Sequence, residues 1–464
     1  MYKMEPQLKL KDFVFPYGKL NPENEWVRMA ELMPWDAVEE KYCERFVNNG
    51  HPAHPARMAL GSLIIKRRLK CPDEWVVRHI SENPYLQYFI GMKEFSDACP
   101  FGESTLVAFR KRFDEEALCE INDMLLESMA AAEADENDDE EGPGGNSGRL
   151  ILDASCAPSD ISYPQDLRLL NEAREKVDEI IDALHAANPV GKRPRTRRRV
   201  ARKDYLRTAR KKRRSEKEMR SAVRKQLGYL YRNIGFVQRY VSNGTALSFI
   251  QQNQMNTISL LYEQQLTMYE NKTHSVGGRI VSLAQPWIRP IVRGKAGTPV
   301  EFGAKLHLSS QNGFVRVERL SFEAFNEACD LPAIVERYRE RNGRFPAEIL
   351  ADKLYATRDN RAFCKHHGIR LQGPPLGRPG KNAQRDKRQE YVDSCNRNEI
   401  EGKFGIGKRA YGLGLLTEKL PITTFSAICA SILTMNLVKL RCAFFNFLFM
   451  RLFQHQLPPC AALG

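Results

Sequence analysis

Arg397, Glu401 and Lys408 follow one another at steps of four and seven residues in the segment CNRNEIEGKFGIGKRAYGLG. On a helix, all three project from roughly one face. Asp352 follows the apolar run Ile349-Leu350-Ala351, and Asp153 follows Leu150-Ile151-Leu152. An unpaired carboxylate at the end of a buried strand is costly, so two such acids and a glutamate between cations ask for a chemical reason. Three carboxylates brought together repel one another unless cations neutralise them. Hard oxygen ligands suit Mg²⁺ or Mn²⁺, and two such ions about 4 Å apart can serve both the attacking and the leaving oxygen of a phosphodiester displacement. Arg397 can grip a phosphate with two parallel hydrogen bonds, and Lys408 offers a point charge. Taken singly, each acid reads as a strand-end turn residue or a solvated helix carboxylate. Arg397 with Glu401 alone reads as a helical ion pair worth about 0.2–0.5 kcal/mol. Only the joint pattern favours metal chemistry.

These residues need strands and a helix to hold them. Val300, Phe302, Ala304, Leu306 and Leu308 alternate as a strand, Ser310-Gln311-Asn312-Gly313 reads as a turn, and Phe314, Val315 and Val317 begin the next strand. A helix is expected at 331–341, then the strand ending in Asp352, a helix from Tyr355 to His367, a short strand from Gly368 to Leu371, and the helix from Gln389 to about Lys408. After Asp153 the chain soon leaves strand pattern. Leu170, Ala173, Val177, Ile180 and Leu184 follow helical spacing, and Val223, Leu227, Leu230, Ile234, Val237 and Val241 alternate steps of four and three, a coiled-coil seam. Two helices joined by a basic connection imply an antiparallel arm, followed by a helix at 247–270 with Ile250, Ile258, Leu261 and Leu266 inward. Asp160 and Asp166, near the first acid, read as loop and helix-start residues.

Most of residues 150–415, within a segment 149–420 read as one catalytic domain, resembles the catalytic region of the DDE transposases of bacterial insertion sequences, in the group named after insertion sequences four and five. The resemblance rests on DASCAPSDISYPQDLRLLNEAR after the first acid, VEFGAKLHLS in the middle, ILADKLYATRDNRAF around the second acid, and the Arg397, Glu401, Lys408 spacing at the third. That spacing is normally preceded by a Tyr where this chain has Ser394, which removes an aromatic hydroxyl contact to the substrate phosphate. The resemblance implies an α/β, ribonuclease-H-like mixed-sheet catalytic domain with a helical basic insertion at about 165–275, after the first strand. It implies that Asp153, Asp352 and Glu401 are the catalytic, metal-holding triad for Mg²⁺ (Mn²⁺ as substitute), with two ions expected. The 49-residue step from Asp352 to Glu401 leaves little room for a further domain there. Implied partners are double-stranded DNA, both element ends and target, and a second copy of the chain as a homodimer on paired ends. The implied reaction is cleavage at terminal inverted repeats followed by joining of the 3′ ends to target DNA. A catalytically silent DNA-binding relative and a metal-dependent nuclease without strand transfer are the alternatives.

Charge and composition set the remaining bounds. The 464 residues are too many for one ordinary domain, and a net charge of +14 is unevenly spread. Residues 191–225 hold 18 Lys and Arg against three acids, or +15, so the rest of the chain is close to neutral. Such concentration points to polyanion binding, with Arg210, Lys211, Lys212, Arg213 and Arg214 as DNA contacts beside Arg397 and Lys408; Lys305, Arg293 and Lys295 are a second tier. Residues 1–130 read as a helical N-terminal DNA-binding domain. In it Met58, Leu60, Leu63 and Ile64 form one apolar face and Trp75, Val76, His79 and Ile80 another. A helix starting near Ser104 or Thr105 turns Phe109 and Phe113 inward and Arg110, Lys111 and Arg112 outward, compatible with a helix-turn-helix reader or a plain bundle. Residues 131–148 carry seven acids and Gly-Pro-Gly-Gly, a linker composition. Residues 421–464 form a C-terminal apolar helix and tail. Between Leu420 and Phe453, Thr423, Thr424, Ser426, Asn436, Lys439 and Arg441 interrupt the apolar pattern, so a buried helix is expected rather than a membrane span. The 11 cysteines form no CxxC pair, and MYKMEPQLKLKDF lacks a signal-peptide core. Together they imply a reducing, cytoplasmic setting, and the resemblance implies a bacterial, nucleoid-associated protein.

Overall fold

The computed structural model describes residues 7–46, 53–134, 145–189, 191–292, 300–373 and 387–454. The chain divides into two compact units, one of residues 1–158, 304–321 and 325–464, the other of residues 159–303 and 322–324. The first therefore joins the N-terminal helices, most of the sheet and the C-terminal helix. Most of the expected linker, residues 135–144, lies outside the described residues.

Among the described residues of the first unit, seven α-helices precede the sheet: α1 (Glu25–Leu32), α2 (Trp35–Cys43), α3 (Ala56–Leu69), α4 (Asp73–Glu82), α5 (Pro84–Phe89), α6 (Thr105–Arg112) and α7 (Glu115–Ala134). Strand β1 (Arg149–Pro158) follows. In the second unit, α8 (Asp166–Ala187), α9 (Arg198–Ala209), α10 (Glu216–Ser242) and α11 (Phe249–Asn271) lead to β2 (Arg289–Val292). β3 (Val300–Gln311) starts in the second unit and ends in the first, where β4 (Phe314–Ser321), α12 (Leu331–Asn342), β5 (Glu348–Leu350), α13 (Arg358–His366), β6 (Arg370–Leu371), α14 (Lys387–Ala410) and α15 (Pro421–Gln454) complete the chain.

The first unit's strands run in the order β3, β1, β5, β6, with β4 antiparallel on β3. The architecture is mixed α/β with an open sheet. β1 and β5 are parallel, pairing Arg149 with Glu348, Leu150 with Ile349 and Ile151 with Leu350. Leu150, Leu152, Ile349 and Ala351 enter one core with Leu331, Ile334 and Val335 of α12 and Cys364 of α13. Side chains alternate along a strand, so Ile151, Asp153 and Leu350 turn to the other face, where α14 packs on β1 and β5. β1 runs on to Pro158, five residues past the point where the strand was expected to end, because the small side chains Ala154 to Ala157 keep the ladder pattern and the last three of them are buried. β3 shows the expected alternation but is buried on both faces: Leu306, His307 and Leu308 are all within about 1% of full burial.

α15 is the spine of the helical part, packing on α1, α3, α6, α7 and β4. Its stretch Pro421–Ala443 has the length and composition of a membrane span, with mean hydropathy 1.5, yet 78% of that window is buried inside the unit. Most of the buried polar residues in it are satisfied within the core: Thr424, Ser431 and Thr434 donate to carbonyls four residues back, and Asn436 donates to Asn122 and to the Val315 carbonyl, whereas the buried Ser426 hydroxyl has no partner among the described residues.

Several expectations for the N-terminal helices need correction. Phe109 and Phe113 are buried, but so is Arg110, whose guanidinium forks onto Asp73 at 3.0 and 2.5 Å. Arg112 lies over the Phe46 ring, leaving Lys111 as the member of that basic trio with its side chain outward. Trp75, expected inward, is exposed and carries Arg78 on its face.

In the second unit, Leu170, Val177, Ile181 and Leu184 of α8 pack with Leu227, Leu230, Ile234 and Val237 of α10 and Ile258 and Leu261 of α11. Ser215 and Ser248 start α10 and α11 with capping boxes. The basic connection is itself a helix, α9, fastened by the Gln226 side chain to the Ala201 carbonyl. Ile250 is exposed, not inward. Asp166 accepts from Gln265 and Arg279 and is structural.

Candidate active site

The β1–β5 register carries Asp153 and Asp352 to the same level two residues beyond Ile151 and Leu350. Neighbouring strands lie about 4.8 Å apart, and Asp352 is still in extended conformation (φ −68°, ψ 161°). Its carboxylate accepts the Lys353 N–H at 2.6 Å, capping the short turn Lys353–Tyr355. Asp153 accepts its neighbour Ala154's N–H at 2.8 Å. The strand face opposite the α12 core thus presents both acids toward α14.

α14 meets that face along the stripe Asp393, Arg397, Ile400, Phe404 and Gly407, at alternating steps of four and three residues. Asp393, Ile400, Phe404 and Gly407 are buried there, and Arg397 is half-buried. Glu401 flanks the stripe and remains exposed. Arg397 joins the acids: its guanidinium lies 3.5 Å from an Asp352 oxygen and 3.2 Å from a Glu401 oxygen. Lys408 lies two turns further along, half-buried.

The helix is held in this register by charge. Arg370 of β6 forks onto Asp393 at 2.7 and 2.8 Å and also pairs with Glu348 of β5, which pairs in turn with Arg149 of β1. An alternating series of charges therefore crosses β1, β5, β6 and α14. The hydrogen bonds from Arg370 hold the Asp393 carboxyl below the usual carboxylate range. At the other edge, Ser310 of β3 donates to Glu399 at 2.6 Å.

Among the described residues, no three acids, histidines or cysteines converge into a ready metal cage; between Asp352 and Glu401 the positive charge is supplied by Arg397. The donor set is nevertheless carboxylate oxygen, one on a strand, one just past the end of the neighbouring strand and one on a helix, which is the chemistry that Mg²⁺ and Mn²⁺ take.

The other expected DNA contacts divide by their surroundings. Lys305 is turned inward, its ammonium on Glu327 and the Phe325 carbonyl and over the Phe325 ring at 4.7 Å, so its charge is already met. Arg293 and Lys295 lie outside the described residues. In the second unit, Lys211 pairs with Glu218, and Arg214 donates to the carbonyls of Ala209 and Lys211. Arg210, Lys212 and Arg213 are exposed, with no ion pair among the described residues.

Sequence reasoning missed a buried group behind the acids. Tyr355 and His307 are 1% and 0% exposed, joined at 2.9 Å, and His307 meets Asp330 at 3.2 Å. The alternation read in β3 did not single out His307; the signal available was an imidazole between the apolar Leu306 and Leu308, and a Tyr three residues after the second acid.

Two family models match the chain. One, described as a transposase DDE domain, covers residues 349–438, and the other, described as a transposase domain (DUF772), covers residues 15–112. The chain is also similar to the uncharacterized protein ORF8 in the nfe locus of Rhizobium meliloti, at 29% identity over 154 residues, 33% of this chain and 71% of that protein. No solved structure matches. The two domain matches lie on the helical N-terminal part and on the segment carrying Asp352, Arg397, Glu401 and Lys408, and together they support a DDE transposase.

Proposed function

We propose that this protein binds the terminal inverted repeats of an insertion sequence, cleaves there and joins the freed ends to target DNA. The observation that carries this reading is the pair Asp153 and Asp352, each two residues past the last pairing of the parallel strands β1 and β5, with Glu401 tied to Asp352 through Arg397. Strand order supports a ribonuclease-H-like catalytic fold, with the helical second unit inserted between the first strand and the rest of the sheet.

Asp153, Asp352 and Glu401 would hold divalent ions, which when bound supply Lewis-acid activation of the phosphodiester and of the attacking oxygen. Asp153 and Asp352 contribute fixed positions because their strands are paired up to two residues before them. Glu401 contributes an adjustable one, since it is exposed on the helix. Arg397 carries the cation that offsets the carboxylates and has the planar fork to bind a phosphate. Lys408 adds charge along the same helix, where the DNA backbone would run. Water attacks the phosphodiester at the element end and releases a 3′ hydroxyl, which then attacks a target phosphodiester. Both steps exchange one oxygen nucleophile for another at phosphorus, so one site serves both. Two ends must be brought together, and a homodimer on paired ends is part of the proposal.

Incubating the protein with duplexes from the DNA flanking its gene, in Mg²⁺, tests the reading. Specific nicks at the element ends and a joined product are expected. Tight end binding with neither product would leave a DNA-binding protein, and nicks without joining would leave a nuclease.

A further inference from the structure

Behind the acidic pair, on the α12 face of the sheet, a hydrogen-bonded series crosses from the loop after β5 to β3. The Tyr355 hydroxyl meets His307 Nε2 at 2.9 Å, His307 Nδ1 meets Asp330 Oδ2 at 3.2 Å, and Arg319 donates to Asp330 Oδ1 at 2.9 Å. Asp330 accepts from His307 Nδ1–H, which leaves Nε2 to accept from the tyrosine. Each polar atom in the series has its partner, although tyrosine and imidazole are fully buried.

β1 lies between β3 and β5. The Tyr355–His307 bond therefore links the two neighbours of the strand that carries Asp153, and Tyr355 is the last residue of the turn that Asp352 caps. We infer that Tyr355 and His307 are positioning residues that set the spacing of Asp153 and Asp352, a role resting on the proposed metal-dependent reaction. A side chain needed only to fill the α12 core would do so as phenylalanine, since the surrounding cluster is Leu331, Ile334, Val335 and Cys364. The hydroxyl and imidazole add direction: they fix where the turn after Asp352 sits relative to β3. Burial keeps His307 on the neutral side, opposed by Asp330, and this agrees with a single donated proton from Nδ1.

The test compares Tyr355→Phe, His307→Leu and His307→Gln with the parent protein, using cleavage of end DNA, Mn²⁺ affinity without DNA by electron paramagnetic resonance of the free ion, and thermal unfolding. Gln keeps an oxygen acceptor near the position of Nε2, whereas Leu keeps only volume. Tyr355→Phe is expected to stay folded and hold KM for DNA within about twofold, while kcat and Mn²⁺ affinity each fall roughly tenfold or more, the scale of losing a support behind a metal ligand. His307→Gln is expected to recover most of both losses, and His307→Leu neither. Unchanged kcat and Mn²⁺ affinity in Tyr355→Phe, or equal impairment of the Gln and Leu variants, would overturn the inference and return the group to packing. Mn²⁺ binding that persists in Asp153→Asn would instead overturn the metal reading on which the inference stands.

Discussion

Replacing Arg210, Lys212 and Arg213 together by Gln isolates the part of the basic arm that the structure leaves available. These three are exposed without ion pairs among the described residues, whereas Lys211 is neutralised by Glu218 and Arg214 is spent on two backbone carbonyls. Each cation that neutralises a DNA phosphate releases counterions and adds about 0.9 to the slope of log affinity against log salt. Three contacts therefore add about 2.7 to the slope, or roughly 1.6 log units between about 50 and 200 mM salt. The triple variant should bind more weakly than the parent at low salt, with the difference shrinking about 40-fold across that range. Fluorescence anisotropy with an end duplex and a random duplex of equal length reads both slopes, and the loss should be the same for each, because phosphate contacts carry no sequence information. Lys211→Gln with Arg214→Gln is the matched control and should flatten the slope by less than about one unit. An unchanged slope in the triple variant, or equal flattening by the control, would refute the phosphate-gripping arm.

Three further outcomes follow from the first unit. Arg397→Ala should slow single-turnover cleavage about 10- to 100-fold, the scale of a charge-assisted hydrogen bond lost from the reacting complex, while end-DNA affinity by anisotropy changes less than about threefold; loss of affinity without loss of rate would contradict the role given to it. The buried pair Arg67–Glu418 is 7% and 3% exposed at its side chains, so Arg67→Ala should cost about 3–5 kcal/mol in denaturant unfolding, while Arg67→Met with Glu418→Leu should be close to neutral. Burial of Glu39 pushes its carboxyl from 4.5 up to about 7. The folded state therefore holds a proton that the unfolded state has released, and stability falls as pH rises from about 4.5 to 7, by about 2–3 kcal/mol. Glu39→Gln should remove that slope, and an unchanged pH dependence in calorimetry would show that another group is responsible.

The elements that position the site were legible wherever one period dominated. Leu170 to Leu184 and Leu227 to Val237 marked the two long helices because each has one apolar stripe against a partner. The candidate acids Asp153 and Asp352 stood out because each carboxylate follows an apolar run. Sequence failed where two faces or two partners competed. His307 was passed over because alternation picks out one face, that of Leu306 and Leu308, and here both faces of β3 are buried. Arg110 looked outward because its partner Asp73 is 37 residues away in sequence, and Lys305 because Glu327 sits in the loop that follows β4. α9 was hidden because its sequence is dominated by charge, and only Ala201 and Thr208 are buried. The charge series Arg149–Glu348–Arg370–Asp393 could not be read at all, since its members become neighbours only after β1, β5 and β6 are paired.

Asp352→Cys tests the proposed metal-holding triad most directly. A thiolate is a softer ligand than a carboxylate and disfavours Mg²⁺ more than Mn²⁺, and the exposed, extended backbone at this position accepts Cys without repacking. The measurement is the initial rate of end-DNA cleavage by this variant in Mg²⁺ and in Mn²⁺, each relative to the parent protein. The account predicts a loss of about 100-fold or more in Mg²⁺ and recovery to within about tenfold in Mn²⁺, on the scale of a displaced metal ligand. Wild-type cleavage in Mg²⁺, or an equal loss in both ions, would contradict direct metal binding by Asp352.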